Sequence, residues 1–147
     1  KRVMYEEGIR VPMLIRYPRM IQPGTKLDEM ALTLDIAPTM LELAGMEPPE
    51  SIQGRSLVRP LQGESSNWRD AFVGEYHWMS FHPHFPTVRM ARSKRWKYLR
   101  SDVEGGPEEE LYDLENDPHE LTNLALYPGW EQELNRMRRV LKELGEE

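Results

Sequence analysis

The chain has 147 residues, 39% hydrophobic and 30% charged, with a net charge of −6, twelve prolines and no cysteine. That length suits one domain burying roughly 68–70% of its unfolded surface, and the acidic balance argues against non-specific nucleic-acid binding, which needs a basic footprint. Disulfides, thiolate zinc sites and a cysteine nucleophile are excluded among these residues, and no run approaches the ~18 apolar residues of a membrane span.

The chain opens "KRVMYEEGIRVPMLIRYP", without an initiator Met or a signal peptide, and reaches an apolar run, Ile9 to Tyr17, almost at once. That run reads as a strand in the interior of a sheet, ended by Pro18 and the turn "QPGT". "TLDIAPTMLELAG" reads as a helix with Asp35 as N-cap, Pro38 in the first turn and Gly45 as the C′ residue. Ile36, Met40, Leu43 and Ala44 share one side of it. An irregular connector follows, with one short turn around Leu57 to Leu61. "AFVGEYHW", "VRMARSKRWKYLRS" and "EELYDL" then read as antiparallel strands. "ENDPHELTNLA" carries a helix-start signal, with Asp117, Pro118 and Glu120 as N-cap, N1 and N3. In "GWEQELNRMRRVLKEL", Trp130, Leu134, Met137, Leu141 and Leu144 form one apolar stripe, which predicts a helix covering the small sheet.

Two clusters invite chemical readings. "GEYHWMSFHPHFP" holds three of the four histidines, His77, His82 and His84, among Tyr76, Trp78, Phe81 and Phe85. Aromatic faces stack on sugar rings, and imidazoles bind sulfate or act as general acids. The blander reading is a Pro-braced loop packing its aromatics on the sheet. His82 and His84 lack a third ligand for a metal site. The second cluster is Arg89, Arg92, Lys94, Arg95, Lys97 and Arg100. Alternation along a strand spreads these side chains over both faces, and neighbouring acidic stretches predict a solvated, ion-paired surface. Glu6 and Arg10 read as a structural ion pair. The nine methionines and four tryptophans read as core fillers.

Six phrases in order, "KRVMYEEGIRVPMLIRYP", "LDIAPTMLELAG", "QGRSLVRPLQG", "WRDAFVGEY", "ARSKRWKYLR" and "ELYDLENDPHELTNLA", resemble the C-terminal third of the type I sulfatases and together span nearly the whole chain. The resemblance implies an α/β, alkaline-phosphatase-like fold whose last part is a small antiparallel sheet backed by a C-terminal helix. It divides the chain into residues 1–64, the end of the catalytic α/β domain, and 65–147, an α+β subdomain. It also implies that a longer N-terminal region precedes Lys1. That region carries the formylglycine precursor, in a Cys/Ser-x-Pro-x-Arg motif absent here, and the residues that hold a calcium ion.

By the same resemblance, Lys1 contacts the sulfate group, and the loop with His77, His82 and His84 borders the substrate cleft. Arg92 matches a family arginine with a structural role. The implied activity is hydrolysis of a sulfate ester, with a sugar as the candidate carrier, while the 147 residues alone are expected to be inactive. The implied partners are a sulfated small molecule or glycan and the N-terminal part of the same enzyme. The exposed apolar strand suggests dimerisation through a sheet edge. Two other readings stand beside this one: a phosphonate or phosphodiester hydrolase of the same superfamily, and a non-catalytic domain that binds sulfated glycans or a partner chain.

Overall fold

The computed structural model describes residues 4–77 and 86–145. In chain order its helices are α1 (Glu6–Ile9), α2 (Ile36–Leu43), α3 (Val58–Leu61) and α4 (Glu131–Gly145). Its strands are β1 (Ala71–Tyr76), β2 (Thr87–Ser93), β3 (Trp96–Val103) and β4 (Gly106–Asp113). The chain forms two compact units, residues 1–12 with 70–147, and residues 13–69.

In the first unit the strands form an antiparallel meander in the order β1-β2-β3-β4. The expected small sheet backed by the C-terminal helix is present, but with one strand more than the sequence suggested. "VRMARSKRWKYLRS" folds back on itself at Lys94 and Arg95, so that Arg92 pairs with Lys97. Neither turn residue has a positive φ, so the turn needs no Gly or Asn. The Ser93 hydroxyl closes it, accepting from the Trp96 N–H at 3.0 Å and donating to the Trp96 carbonyl at 3.2 Å.

Register then sorts the side chains onto two faces. Val73, Ala91, Tyr98 and Leu111 lie in one cross-strand row and pack with Trp96 against Met137, Leu134, Val140 and Leu141 of α4. Trp130 stacks at a tilt on Trp96, with centroids 5.6 Å apart. The predicted stripe thus meets the sheet, except that Leu144 is exposed. On the opposite face, Met90, Leu99 and Tyr112 pack against Met4, Tyr5 and Ile9. The N-terminal segment and α4 therefore cover opposite faces of one sheet. Gly74 makes room for the segment, because a Cβ there would stand 2.8 Å from the Met4 methyl.

The helix expected after Asp117 does not form. The Asp117 carboxylate accepts from the N–H groups of Leu121 and Thr122, at 3.0 and 2.9 Å, and Glu120 adopts φ 55°. A residue in that left-handed conformation cannot continue a helix. A 3₁₀ turn, Leu124–Leu126, follows. Asn123 ties this turn to β4 by accepting from Leu111 N–H and donating to the Glu109 carbonyl, at 3.0 and 3.1 Å.

In the second unit, Asp35 is fully buried (0% exposed) in a 3₁₀ turn, Thr33–Asp35, that leads into α2. It stands at the N-cap position of α2, as expected, but makes no side-chain cap hydrogen bond to that helix. Its carboxylate instead accepts from Leu32 N–H, Arg55 N–H and both terminal nitrogens of Arg69, at 2.7, 2.8, 2.5 and 2.7 Å. Burial pushes the Asp35 carboxyl up, but the Arg69 and backbone hydrogen bonds outweigh it, so the group sits below its ordinary value. Gly45 follows α2 with φ 76°, as expected of a C′ residue. The buried side of α2 carries Pro38 and Thr39. Most of the predicted apolar side does not pack: Ile36 and Ala44 are exposed and Met40 is 65% exposed, while Leu43 is half-buried. Met46 is exposed as well, so the methionines are not uniformly core residues.

The predicted strand Ile9–Tyr17 is also absent. Residue 9 ends α1 and residues 10–17 are in neither helix nor strand, Leu14 being 95% exposed. An apolar strand is stable only with a neighbour to satisfy its backbone, and among the described residues none pairs with it.

Gly54 packs so closely on Leu34 that an added Cβ would lie 2.0 Å from the Leu34 carbonyl oxygen. Backbone cannot yield as a flexible side chain does. Gly54→Ala is expected to lower stability by about 2–3 kcal/mol, read as a fall in the urea midpoint; a change under about 0.5 kcal/mol would show that the backbone gives way.

Candidate functional site

The N-terminal segment crosses β2 and β3 where Arg92 and Lys97 stand directly opposite each other. Two like charges in register repel, and Glu6 separates them. Arg92 donates to the Glu6 carboxylate from Nε and Nη2, at 3.3 and 3.1 Å, and Lys97 Nζ donates to Oε1 at 3.3 Å. The Lys97 side chain is 0% exposed.

Its second counter-charge is Glu120, whose Oε1 lies 2.8 Å from Nζ as a charge contact without a directed hydrogen bond. The other Glu120 oxygen accepts the Glu6 backbone N–H at 2.5 Å. Two carboxylates and two cations thus close into a neutral, buried quartet. Burial raises the Glu6 carboxyl's pKa, but Arg92 and Lys97 more than compensate and hold it below its ordinary value. Beside the quartet, the hydroxyls of Tyr5 and Tyr112 both donate to Glu110 Oε2, at 2.9 and 2.5 Å. Burial and the Glu110 charge push both phenols up.

This arrangement corrects two expectations. The Glu6 carboxylate engages Arg92 and Lys97 rather than serving an Arg10 pair. The basic cluster is not uniformly solvated either. Arg89 does bridge Glu75 and Asp102 at the surface, at 2.9 Å each, and Arg95 bridges Asp113 and Glu115. Lys97, however, is buried, and the hairpin that brings it opposite Arg92 carries no Gly or Asn to announce it. Glu120 departs from its expected helix-start role for a related reason. Its side chain is drawn into a contact 114 residues distant in sequence, which no local pattern encodes.

Of the predicted site residues, Lys1, His82 and His84 lie outside the described residues. His77 follows β1 directly, with its ring largely exposed. Its Nε2 is 3.0 Å from Glu75 Oε2, and its Nδ1 is 3.4 Å from the Thr87 hydroxyl. The His77 and Arg89 partners hold the Glu75 carboxyl below its ordinary value. The described residues bring no three His, Asp or Glu side chains together around a point where a cation would sit. The described residues therefore offer no site for the calcium ion that the resemblance places outside this chain.

Against known proteins, the family described as N-sulphoglucosamine sulphohydrolase, C-terminal, matches residues 1–147. The chain belongs to this family of sulfatase C-terminal regions. It is 33% identical over 150 residues to an N-acetylglucosamine-6-O-sulfatase of Bacteroides thetaiotaomicron, covering 97% of this chain and 26% of that relative. An arylsulfatase of Clostridium perfringens is 34% identical over 148 residues, covering 98% of this chain and 29% of its own length. The chain therefore spans between a quarter and a third of these curated relatives.

Among solved structures, one determined in complex with its substrate D-glucosamine-2-N,6-O-disulfate superposes with a TM-score of 0.79 at 28% identity, over 87% of this chain and 26% of that one. The phosphonate monoester hydrolase of Agrobacterium radiobacter superposes with a TM-score of 0.62 at 29% identity, over 75% of this chain and 24% of that one. In this chain the quartet fastens "YEEGIRVP" to the sheet through Glu6.

Proposed function

We propose that this chain is the C-terminal part of a sulfatase that hydrolyses a sulfate ester on a sugar, releasing an alcohol and sulfate. Residues 1–64 would complete the catalytic α/β domain and residues 65–147 would form its α+β subdomain. The family match across residues 1–147 carries this reading, and the sulfatase relatives support it. The sugar enters from the aminosugar sulfate bound by one structural neighbour.

Sulfate-ester hydrolysis requires attack at sulfur, stabilisation of charge on the sulfuryl oxygens, and protonation of the leaving alcohol. Formylglycine and a calcium ion, both outside this chain, would supply the nucleophile and part of the charge stabilisation. Lys1 would direct its ammonium, a compact charge with three donors, at the sulfuryl oxygens. His77, His82 and His84, on the connection from β1 to β2, would hold the sulfated sugar or give its oxygen a proton. Glu75 orients the His77 ring for either task.

The test uses the full-length enzyme with 4-nitrophenyl sulfate and a sulfated aminosugar. Lys1→Ala is expected to lower kcat by roughly 10²–10³-fold. A loss below tenfold removes Lys1 from the mechanism. With the sugar, alanine at His77, His82 or His84 raises KM where the residue binds and lowers kcat where it donates a proton; no change at any of the three removes this loop from the cleft. A second reading, phosphonate ester hydrolysis, draws on the superposition with the phosphonate monoester hydrolase. A higher kcat/KM for a phenylphosphonate ester than for the aryl sulfate would favour it.

A further inference from the structure

On a helix at a water surface the apolar side turns inward and the polar side outward. α2 does the reverse. Its buried side carries Thr39, whose hydroxyl accepts from Leu57 N–H and donates to the Asp35 carbonyl, at 2.8 and 2.5 Å. Its outer side carries Ile36 and Met40, 44% and 65% exposed, with Ala44 exposed one turn further on. The residues flanking the helix add Leu34 and Met46, both exposed. This bare side is a fixed surface rather than a fraying end. The hydrogen bonds to Asp35 and the close packing of Gly54 on Leu34 hold the entry to the helix. The imbalance extends through the unit. Among the described residues 13–69, three large apolar side chains are buried, Met30, Leu57 and Val58, and six are exposed. Burial of apolar area is the dominant favourable term in folding, so a unit that exposes more of it than it buries lacks part of its core.

Area and chain length decide what covers α2. Eight residues make a helix about 12 Å long, one side of which offers on the order of 10² Å². A stable association of separate chains needs roughly 800 Å² on each partner. A segment of the same polypeptide needs far less, because its docking is intramolecular and proceeds at a high effective concentration. The curated relatives supply such a segment, since this chain spans only 26% and 29% of their lengths. We propose that the side of α2 carrying Ile36, Met40 and Ala44 is the face on which the N-terminal region of the same enzyme docks, through apolar side chains of its own. This rests on the reading of the chain as the C-terminal part of a longer enzyme.

The experiment measures oxidation of Met40 by hydrogen peroxide in the full-length enzyme, native and urea-denatured, with the sulfoxide counted by mass spectrometry. A free side chain 65% exposed oxidises in the native state at nearly its denatured rate. Docking is expected to slow Met40 about fivefold or more, and the protection should survive about hundredfold dilution, as an intramolecular contact does. A smaller slowing overturns the proposal. So does protection that is lost on dilution, which would make a second copy the occupant. Turnover of 4-nitrophenyl sulfate by the same preparation separates this proposal from the sulfatase reading. Turnover with Met40 unprotected overturns the docking alone, whereas protection without turnover supports the docking and removes the sulfatase reading.

Discussion

Asp35→Ala lowers stability by about 3–5 kcal/mol, the range for breaking a buried ion pair from one side. The carboxylate accepts four hydrogen bonds, from Leu32, Arg55 and twice from Arg69. Its loss strands two amides and a guanidinium whose side chain is 8% exposed. Hydrogen exchange reads the event locally, because the Leu32 and Arg55 amides lose their acceptor. A loss below about 1 kcal/mol would mean that solvent reaches Arg69 and replaces the carboxylate.

The same group has a defined acid signature. Its folded pKa lies below the ordinary value of 3.8, so its contribution is complete above that value and is lost as pH falls through the folded pKa. The stability gap between the parent and Asp35→Ala should therefore narrow below about pH 4 and stay constant above about pH 5.

Lys97→Met is expected to destabilise the first unit by a similar ~3–5 kcal/mol. The thioether fills the space of the alkyl stem, so the loss is electrostatic: two buried carboxylates, Glu6 and Glu120, are left to share Arg92. Adding Glu120→Gln should recover at least half of the loss, since the amide oxygen still accepts the Glu6 N–H while one uncompensated charge disappears. The urea midpoints of the parent, the two single variants and the double variant give the coupling directly. Additive losses would show that the 2.8 Å contact between Lys97 and Glu120 contributes no net attraction.

What the sequence disclosed followed from how local the encoding is. The stripe from Trp130 to Leu141 repeats at helical period, and α4 lies on the sheet as that period requires. Gly45 marked the end of α2 because a left-handed C′ residue is a one-position signal. The turn at Lys94 and Arg95 carries no turn-type signature because a serine side chain closes it, and the pairing of Arg92 with Lys97 depends on that turn. Asp117 to Glu120 carried true capping chemistry, yet the same carboxylate caps a loop once Glu120 is pulled toward Glu6. The stretch from Ile9 to Tyr17 has strand composition, but composition cannot supply a neighbouring strand. The family phrases were enough to point to the family that matches residues 1–147; the contacts Glu6 makes in the buried quartet span 86 to 114 residues.

Those separations also impose an order of assembly. The meander β1 to β4 forms from neighbouring segments, and short closures cost little chain entropy. The segment around Tyr5 and Glu6 precedes the meander in the chain, yet its last partner, Glu120, is synthesised 114 residues later. At ~5–20 residues per second, the nascent chain holds that segment undocked for roughly 6–23 s. The turn at Glu6 is thus synthesised before the sheet it docks on and fixed in place after it.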